Sequence, residues 1–193
     1  MKKFLVLGSW FLALNPLFAS DFNQKINKIE TTYATLPALQ AEFIQKTYIP
    51  LLEETITRPG RFFYQKGGKI RIEYAADPMT HYVSDGRTLW VVHPKEKRKE
   101  TYALKDSGLP EEALNFLTEL GGLRNYFKVA KGEGQKIVLK SKKKSTYQRL
   151  DCVFNKNYLL EDLTIHSRSG NTSRYHFFNI KTPQSLPAKL FGP

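Results

Sequence analysis

Sulfur chemistry is almost absent from this chain. Cys152 is the one cysteine in 193 residues, so no intramolecular disulfide can form and the fold must be held by its core. A single thiol in a strand-like segment reads as a small buried apolar group and not as a nucleophile. Metal and catalytic patterns are equally sparse. His81, His93, His166 and His176 stand without metal-ligand spacing between them, and the cysteine has no base at hand. The neighbouring carboxylates Glu53-Glu54 and Glu111-Glu112 point to different faces of a strand or sit at a helix start, so neither forms an acid/base pair. Gly67-Gly68 lacks the surroundings of a phosphate loop and reads as a turn. These absences argue against an enzyme, and they call for no cofactor and no metal.

Long apolar runs are missing too, except at the start. Lys2 and Lys3 precede an apolar stretch from Phe4 to Phe18, followed by the small residues Ala19 and Ser20. That stretch is shorter than the roughly 20 apolar residues a spanning helix needs. The basic start, apolar middle and small-residue end fit a cleavable secretory signal over residues 1–19, cut after Ala19. Residues 20–193 then make a single domain, large enough to bury a real core. An exported domain of this kind is expected in the periplasm of a Gram-negative-type bacterium. Acidic residues are also few, 18 against 30 basic ones, for a net charge of +12. Such an excess suits anionic lipid, an acidic protein face or plain solubility. Export sets nucleic acid aside.

Secondary-structure signals begin with a helix, because Phe22, Ile26, Ile29 and Tyr33 form one stripe that stops near Pro37. Short β-branched and aromatic segments follow. Alternation is clearest in Lys69-Ile70-Arg71-Ile72-Glu73-Tyr74, where Ile70, Ile72 and Tyr74 share a face. Asp85-Gly86 and Ser169-Gly170-Asn171 read as tight hairpin turns, and Gly132 with Gly134 as a weaker one. Pro110, Glu111 and Glu112 suit a helix N-terminus, with Leu109, Ala113, Leu114, Phe116, Leu117 and Leu120 on its apolar side and Gly121-Gly122 at its end. Lys140 to Lys144 reads as an exposed turn. The predicted order is helix, about six strands, helix, about five strands. Short links without βαβ crossovers predict an antiparallel sheet that curls, with the helices on its concave side.

Aromatics are abundant, with 13 Phe, 10 Tyr and 2 Trp. They can fill a core, or line an apolar cavity if two helices are too few to close the concave face.

Five segments carry a family resemblance: Phe43-Ile44-Gln45-Lys46, Gly60-Arg61-Phe62-Phe63-Tyr64, the run from Lys66 to Tyr74, Val83-Ser84-Asp85-Gly86-Arg87-Thr88-Leu89-Trp90, and His93-Pro94. In this order and spacing the chain resembles the LolA family of periplasmic outer-membrane lipoprotein carriers, over nearly the whole mature length. The resemblance implies a mainly β, α+β fold: an unclosed antiparallel β-barrel with helices as a lid over an apolar cavity. It implies a chaperone that shields the acyl chains of lipoproteins and moves them from the periplasmic domain of an inner-membrane ABC transporter to an outer-membrane receptor, as a monomer without nucleic acid. Ile70 and Tyr82 fall where the family lines its cavity, and strand parity adds Ile72 and Tyr74. Phe43, Phe62, Tyr64, Leu89, Phe116, Leu117 and Leu120 complete the expected lipid-binding wall.

Two departures stand out. Where the family latches its lid with an arginine, this chain has Lys66, with Arg71 as the other candidate on the opposite parity from Ile70. A lysine cannot make the forked contact of a guanidinium. The chain also stops at Leu190-Phe191-Gly192-Pro193, without the usual extension after the last strand. Other readings stay open: a carrier or sensor of other lipids with the same fold, or a periplasmic esterase.

Overall fold

The structure, a computed structural model, describes residues 16–75, 79–103 and 120–192. Most of the expected signal and nearly all of the expected second helix, with Phe116 and Leu117, lie outside the described residues.

Helix α1 spans Pro16–Thr35 and so begins before Phe22, running across the expected cleavage bond. Its stripe faces inward: Ile26, Ile29 and Tyr33 are buried and Phe22 is half-buried. Thr35 ends it, folding its hydroxyl back onto the Thr31 carbonyl, and Pro37 follows, which disfavours helix at the residue before it.

Among the described residues eleven strands then form two meanders. The first contains β1 (Ala38–Ile49), β2 (Glu54–Gln65), β3 (Lys69–Tyr74), β4 (His81–Asp85), β5 (Thr88–His93) and β6 (Arg98–Ala103). The second contains β7 (Phe127–Lys131), β8 (Ile137–Ser141), β9 (Tyr147–Phe154), β10 (Leu160–Ser167) and β11 (Thr172–Lys181). The four-residue helix α2 (Leu123–Tyr126) precedes β7. All strands join one antiparallel sheet in the order β6-β5-β4-β3-β2-β1-β11-β10-β9-β8-β7. Pairing of β1 with β11 joins the two meanders at the centre of the sheet. It leaves β6 and β7 as its two ends, so the sheet is not closed into a barrel.

Turn chemistry sets these hairpins. Between β4 and β5, Asp85 Oδ1 accepts the N–H groups of Arg87 and Thr88 at 2.9 and 2.8 Å. Gly86 between them has φ +96°, where a Cβ would lie 2.3 Å from the Gly67 carbonyl oxygen. The Asp-Gly pair is therefore needed twice over, for its conformation and for the approach of a neighbouring loop. The turns at Gly132 to Gly134 and Ser169 to Asn171 also fall between strands, as predicted. The expected turn from Lys140 to Lys144 starts late, because Lys140 and Ser141 still pair within β8 opposite Lys128 and Phe127.

Register assigns the faces. On β1 and β2 Leu39 pairs with Tyr64, Ala41 with Phe62 and Phe43 with Gly60. Those β2 residues meet Ile70, Ile72 and Tyr74 of β3, which in turn meet Ser84 and Tyr82 of β4. The same parity continues through Phe177 and Tyr175 of β11 to Leu163 of β10 and Cys152 of β9. This inner face carries most of the core. Helix α1 packs on its β9–β10 half, where the Tyr33 hydroxyl accepts the Leu160 N–H at 2.8 Å and its ring meets Phe154 edge to face. The tail turns back onto the outer face. There the 3-10 turn Ala188–Phe191 covers β3 and β4 with Phe191 buried.

Candidate functional site: the inner face and its lid

The inner face of β1 to β5 and β11 is a sheet of aromatic and aliphatic side chains centred on Phe43. Its ring lies over Gly60, where a Cβ would come within 2.4 Å of the ring and 2.5 Å of the Glu73 carbonyl oxygen. A glycine opposite a phenylalanine thus lets the ring cross the strand and reach Tyr74 edge to face at 5.5 Å. Tyr175 and Phe177 flank it at 5.8 and 6.0 Å, and Tyr82 meets Tyr74 at 6.3 Å. Such pairs add stabilisation beyond the area they bury. Burial pushes the phenol pKa values of Tyr74 and Tyr175 upward, and each is raised by a tyrosine neighbour as well, so both hydroxyls stay protonated.

The residues expected to line a lipid cavity are brought together on this face: Phe43, Phe62, Tyr64, Ile70, Ile72, Tyr74, Tyr82 and Leu89. Leu120, the described residue of the expected second helix, joins the same core. They are not equally accessible. Ile70, at 1% exposure, is packed as core, as are Phe43, Phe62, Tyr64, Leu89 and Leu120. Ile72, Tyr74 and Tyr82 remain half-buried. The accessible part of the wall is therefore two tyrosines and an isoleucine on β3 and β4. A separate pocket of about 200 Å³ lies between the start of α1 and the β7–β8 hairpin, lined by Phe22 and Ile137 but also by Asp21, Lys25, Lys131 and Lys136. It is below the roughly 300 Å³ at which pockets for drug-sized ligands begin.

Lys66 and Arg71 part company. Lys66 Nζ donates to the Ala34 carbonyl at 3.1 Å, in the last turn of α1. Arg71 does not reach the helix. Parity turns it outward, where it donates to Glu73 Oε1 at 2.6 Å and to the carbonyls of Leu190 and Gly192 at 3.3 and 3.5 Å. It fastens the tail, and its expected place in the lid latch is corrected accordingly. Around it Glu73 is titrated by opposing forces. Burial raises its pKa, but the Arg71 hydrogen bond and the charges of Arg71, Arg61 and His81 outweigh that and hold it below the usual carboxylate value.

Among the described residues, the largest set of polar contacts to α1 comes from a residue that sequence reading missed. Arg124 of α2 donates its backbone N–H to Glu30 Oε1 at 2.9 Å and its Nη1 to Glu30 Oε2 at 2.6 Å and Asn27 Oδ1 at 2.8 Å. Its Nη2 reaches the Asn23 carbonyl at 3.2 Å. Asn23, Asn27 and Glu30 follow helical spacing beside the apolar stripe, so one guanidinium grips about two turns of α1. Lys142 Nζ in turn donates to the Arg124 carbonyl. Nothing local in the sequence marks this pairing, since 94 residues separate Arg124 from Glu30.

Comparison with known proteins adds the family. A family model described as outer membrane lipoprotein carrier protein LolA matches residues 34–193. Among solved structures, a LolA superfamily protein from Nitrosomonas europaea superposes with a TM-score of 0.50 at 13% identity, over 89% of this chain and 97% of that one. An uncharacterized conserved protein from Thermus thermophilus gives 0.54 at 10% identity, over 88% and 92% of the two chains. A DUF1329 family protein from Desulfovibrio piger gives 0.52 at 12%, over 88% and 96%. At such identities the likeness concerns the fold alone. No curated protein matches the sequence.

Proposed function

Because this chain belongs to the LolA family of outer membrane lipoprotein carriers, we propose that it shields the acyl chains of lipoproteins in the periplasm. It takes them from an inner-membrane ABC transporter and delivers them to an outer-membrane receptor. Residues 1–19 direct export and are then cleaved, leaving a domain that begins at Ser20. The observation that carries the reading is the inner face: a continuous aromatic and aliphatic surface with half-buried Ile72, Tyr74 and Tyr82 on β3 and β4, while on the β9–β10 half α1 covers the same face and is held by polar contacts.

The energetics suit that work. Shielding acyl chains from water is worth about 0.8 kcal/mol per methylene, so an acylated protein does not cross an aqueous space unescorted. Parting α1 from the sheet would widen the apolar face, and the cost of breaking its polar contacts sets the resting state. Release requires a receptor with higher affinity for the same chains.

The test is release of lipoproteins from transporter-bearing inner-membrane vesicles. Purified protein is expected to bring them into the soluble fraction as a complex, and to pass them to outer-membrane vesicles holding a receptor. Lipoproteins that stay with the vesicles at saturating protein would refute the reading. Intact mass of the periplasmic protein checks the processing, with a chain starting at Ser20 expected.

A further inference from the structure

The apolar inner face ends in a cation. On β2, two residues from Gly60 toward the β1–β2 turn, Arg58 has inward parity and pairs with Gln45 of β1, which pairs with Tyr175 of β11. The Arg58 guanidinium stands 5.9 Å from the centroid of the Tyr74 ring. Its Nε is buried and has no hydrogen-bond partner, and neither has the buried Gln45 Oε1. Beside them the polar lining is already paired: Gln45 Nε2 donates to Thr47 Oγ1 at 2.9 Å, and Thr47 shares a hydrogen bond with Ser173 at the same length. Among the described residues no carboxylate forms an ion pair with Arg58.

A guanidinium cannot shed its charge, so a buried donor on it goes unsatisfied until an acceptor arrives. Cation–π contact with Tyr74 offsets part of that cost but satisfies no N–H group. Tyr74 and Tyr175, protonated, offer hydroxyls at the same end of the cluster. Gln45 can present either edge of its amide, because turning it by half a rotation exchanges the carbonyl for the NH₂ while Thr47 still has a partner. The combination is asymmetric: hydrocarbon-compatible wall on one side, an unanswered cation at its end.

We infer that Arg58, with Gln45, Tyr74 and Tyr175, forms a seat for the anionic group of an acyl-chain amphiphile whose tail lies along Ile72 and Tyr82. This rests on the reading that the inner face takes acyl chains, and it extends the cargo class to lipids whose head is a carboxylate or a phosphate monoanion. A neutral glyceride head would leave the Arg58 Nε as it is.

Displacement of the neutral dye N-phenylnaphthylamine from the purified protein tests both points, using oleate against oleyl alcohol and dioleoylphosphatidylglycerol against diolein. Wild type is expected to prefer at least one anionic member by about tenfold or more, the scale of one charge-assisted hydrogen-bond pair. Preference within the oleate pair alone identifies the head as a carboxylate, and within the phosphatidylglycerol pair alone as a phosphate. Arg58→Gln should abolish the preference while leaving affinity for the alcohol and the melting temperature near wild type, and Arg58→Lys should retain part of it. Equal binding of charged and neutral members by wild type overturns the seat and leaves the acyl-binding reading standing, a comparison that needs no variant to fold. An unchanged preference in Arg58→Gln also overturns it. Failure of every acyl compound to displace a bound dye counts against both.

Discussion

Replacing Arg124 with alanine should loosen α1 without unfolding the sheet. The side chain makes three hydrogen bonds to α1, two of them to Glu30 and Asn27 at 2.6 and 2.8 Å. Charge-assisted bonds of this kind are strong when dry, but Arg124 is 40% and Glu30 21% exposed. Solvent screening therefore brings the loss to about 1–2 kcal/mol. The backbone bond from residue 124 to Glu30 survives the substitution, which argues for the lower half of that range. A loss of that size raises the population of the detached helix about 5- to 30-fold. Native-state hydrogen exchange reads this directly, because amides in the α1 turns around Ile26 and Ile29 should exchange faster by that factor. Amides at the centre of the sheet, in the β1–β11 ladder around Phe43 and Phe177, should not change. Lys66→Ala, which removes one exposed contact to Ala34, should produce a smaller change confined to the last turn. Equal acceleration in the helix and the sheet would mean that Arg124 supports the whole fold and is no latch. No acceleration anywhere would mean the guanidinium contributes nothing in water.

Other outcomes follow from packing and charge. Gly60→Ala places a methyl group against both the Phe43 ring and the Glu73 backbone carbonyl. The ring can swing but the carbonyl cannot, so a loss of about 1–3 kcal/mol is expected from urea unfolding, and an unchanged midpoint would refute the close approach. Acidification should destabilise the protein in two stages. Burial, helped by the Arg71 and Arg61 charges and opposed by Glu73, holds the His81 pKa below 6.5. The unfolded chain then takes up that proton first, and stability falls as the pH drops below 6.5. Glu73, whose folded pKa is also depressed, contributes stability present above its ordinary value of 4.5 and lost as the pH falls through the folded value. Urea midpoints measured from neutral pH downward should show both, and Glu73→Gln should flatten the lower stage. Cys152 is fully buried, and burial followed by the Asp151 charge pushes its thiol pKa up. Ellman's reagent should therefore label it only as fast as the protein unfolds, and immediate labelling of native protein would contradict its place in the core.

Local periodicity and turn chemistry determine much of this molecule. A period of two in residues 69–74 is enough to put Ile70, Ile72 and Tyr74 on one face and Arg71 on the other, since side chains alternate across any strand. Asp85-Gly86 carries its own hairpin, because the aspartate caps the turn and the glycine adopts the left-handed conformation the turn needs, although the approach of the Gly67 loop to Gly86 is set by the tertiary structure. The four-and-three spacing of Phe22, Ile26, Ile29 and Tyr33 likewise states which side of α1 must be covered. What those patterns do not contain is distance between segments far apart in the chain. Whether Ile70 is a packed core residue and Tyr82 a half-buried wall depends on how the two meanders curl around β1 and β11, a matter of global closure and not of alternation. The grip of Arg124 on Glu30 needs α2 to land beside α1 across 94 residues. Arg58 is hidden for a different reason: the segment Thr55-Ile56-Thr57-Arg58-Pro59 has no apolar alternation to reveal its inward side. Its parity is inherited through hydrogen bonding from Phe43 opposite Gly60, because a strand without a hydrophobic pattern takes its register from its neighbour.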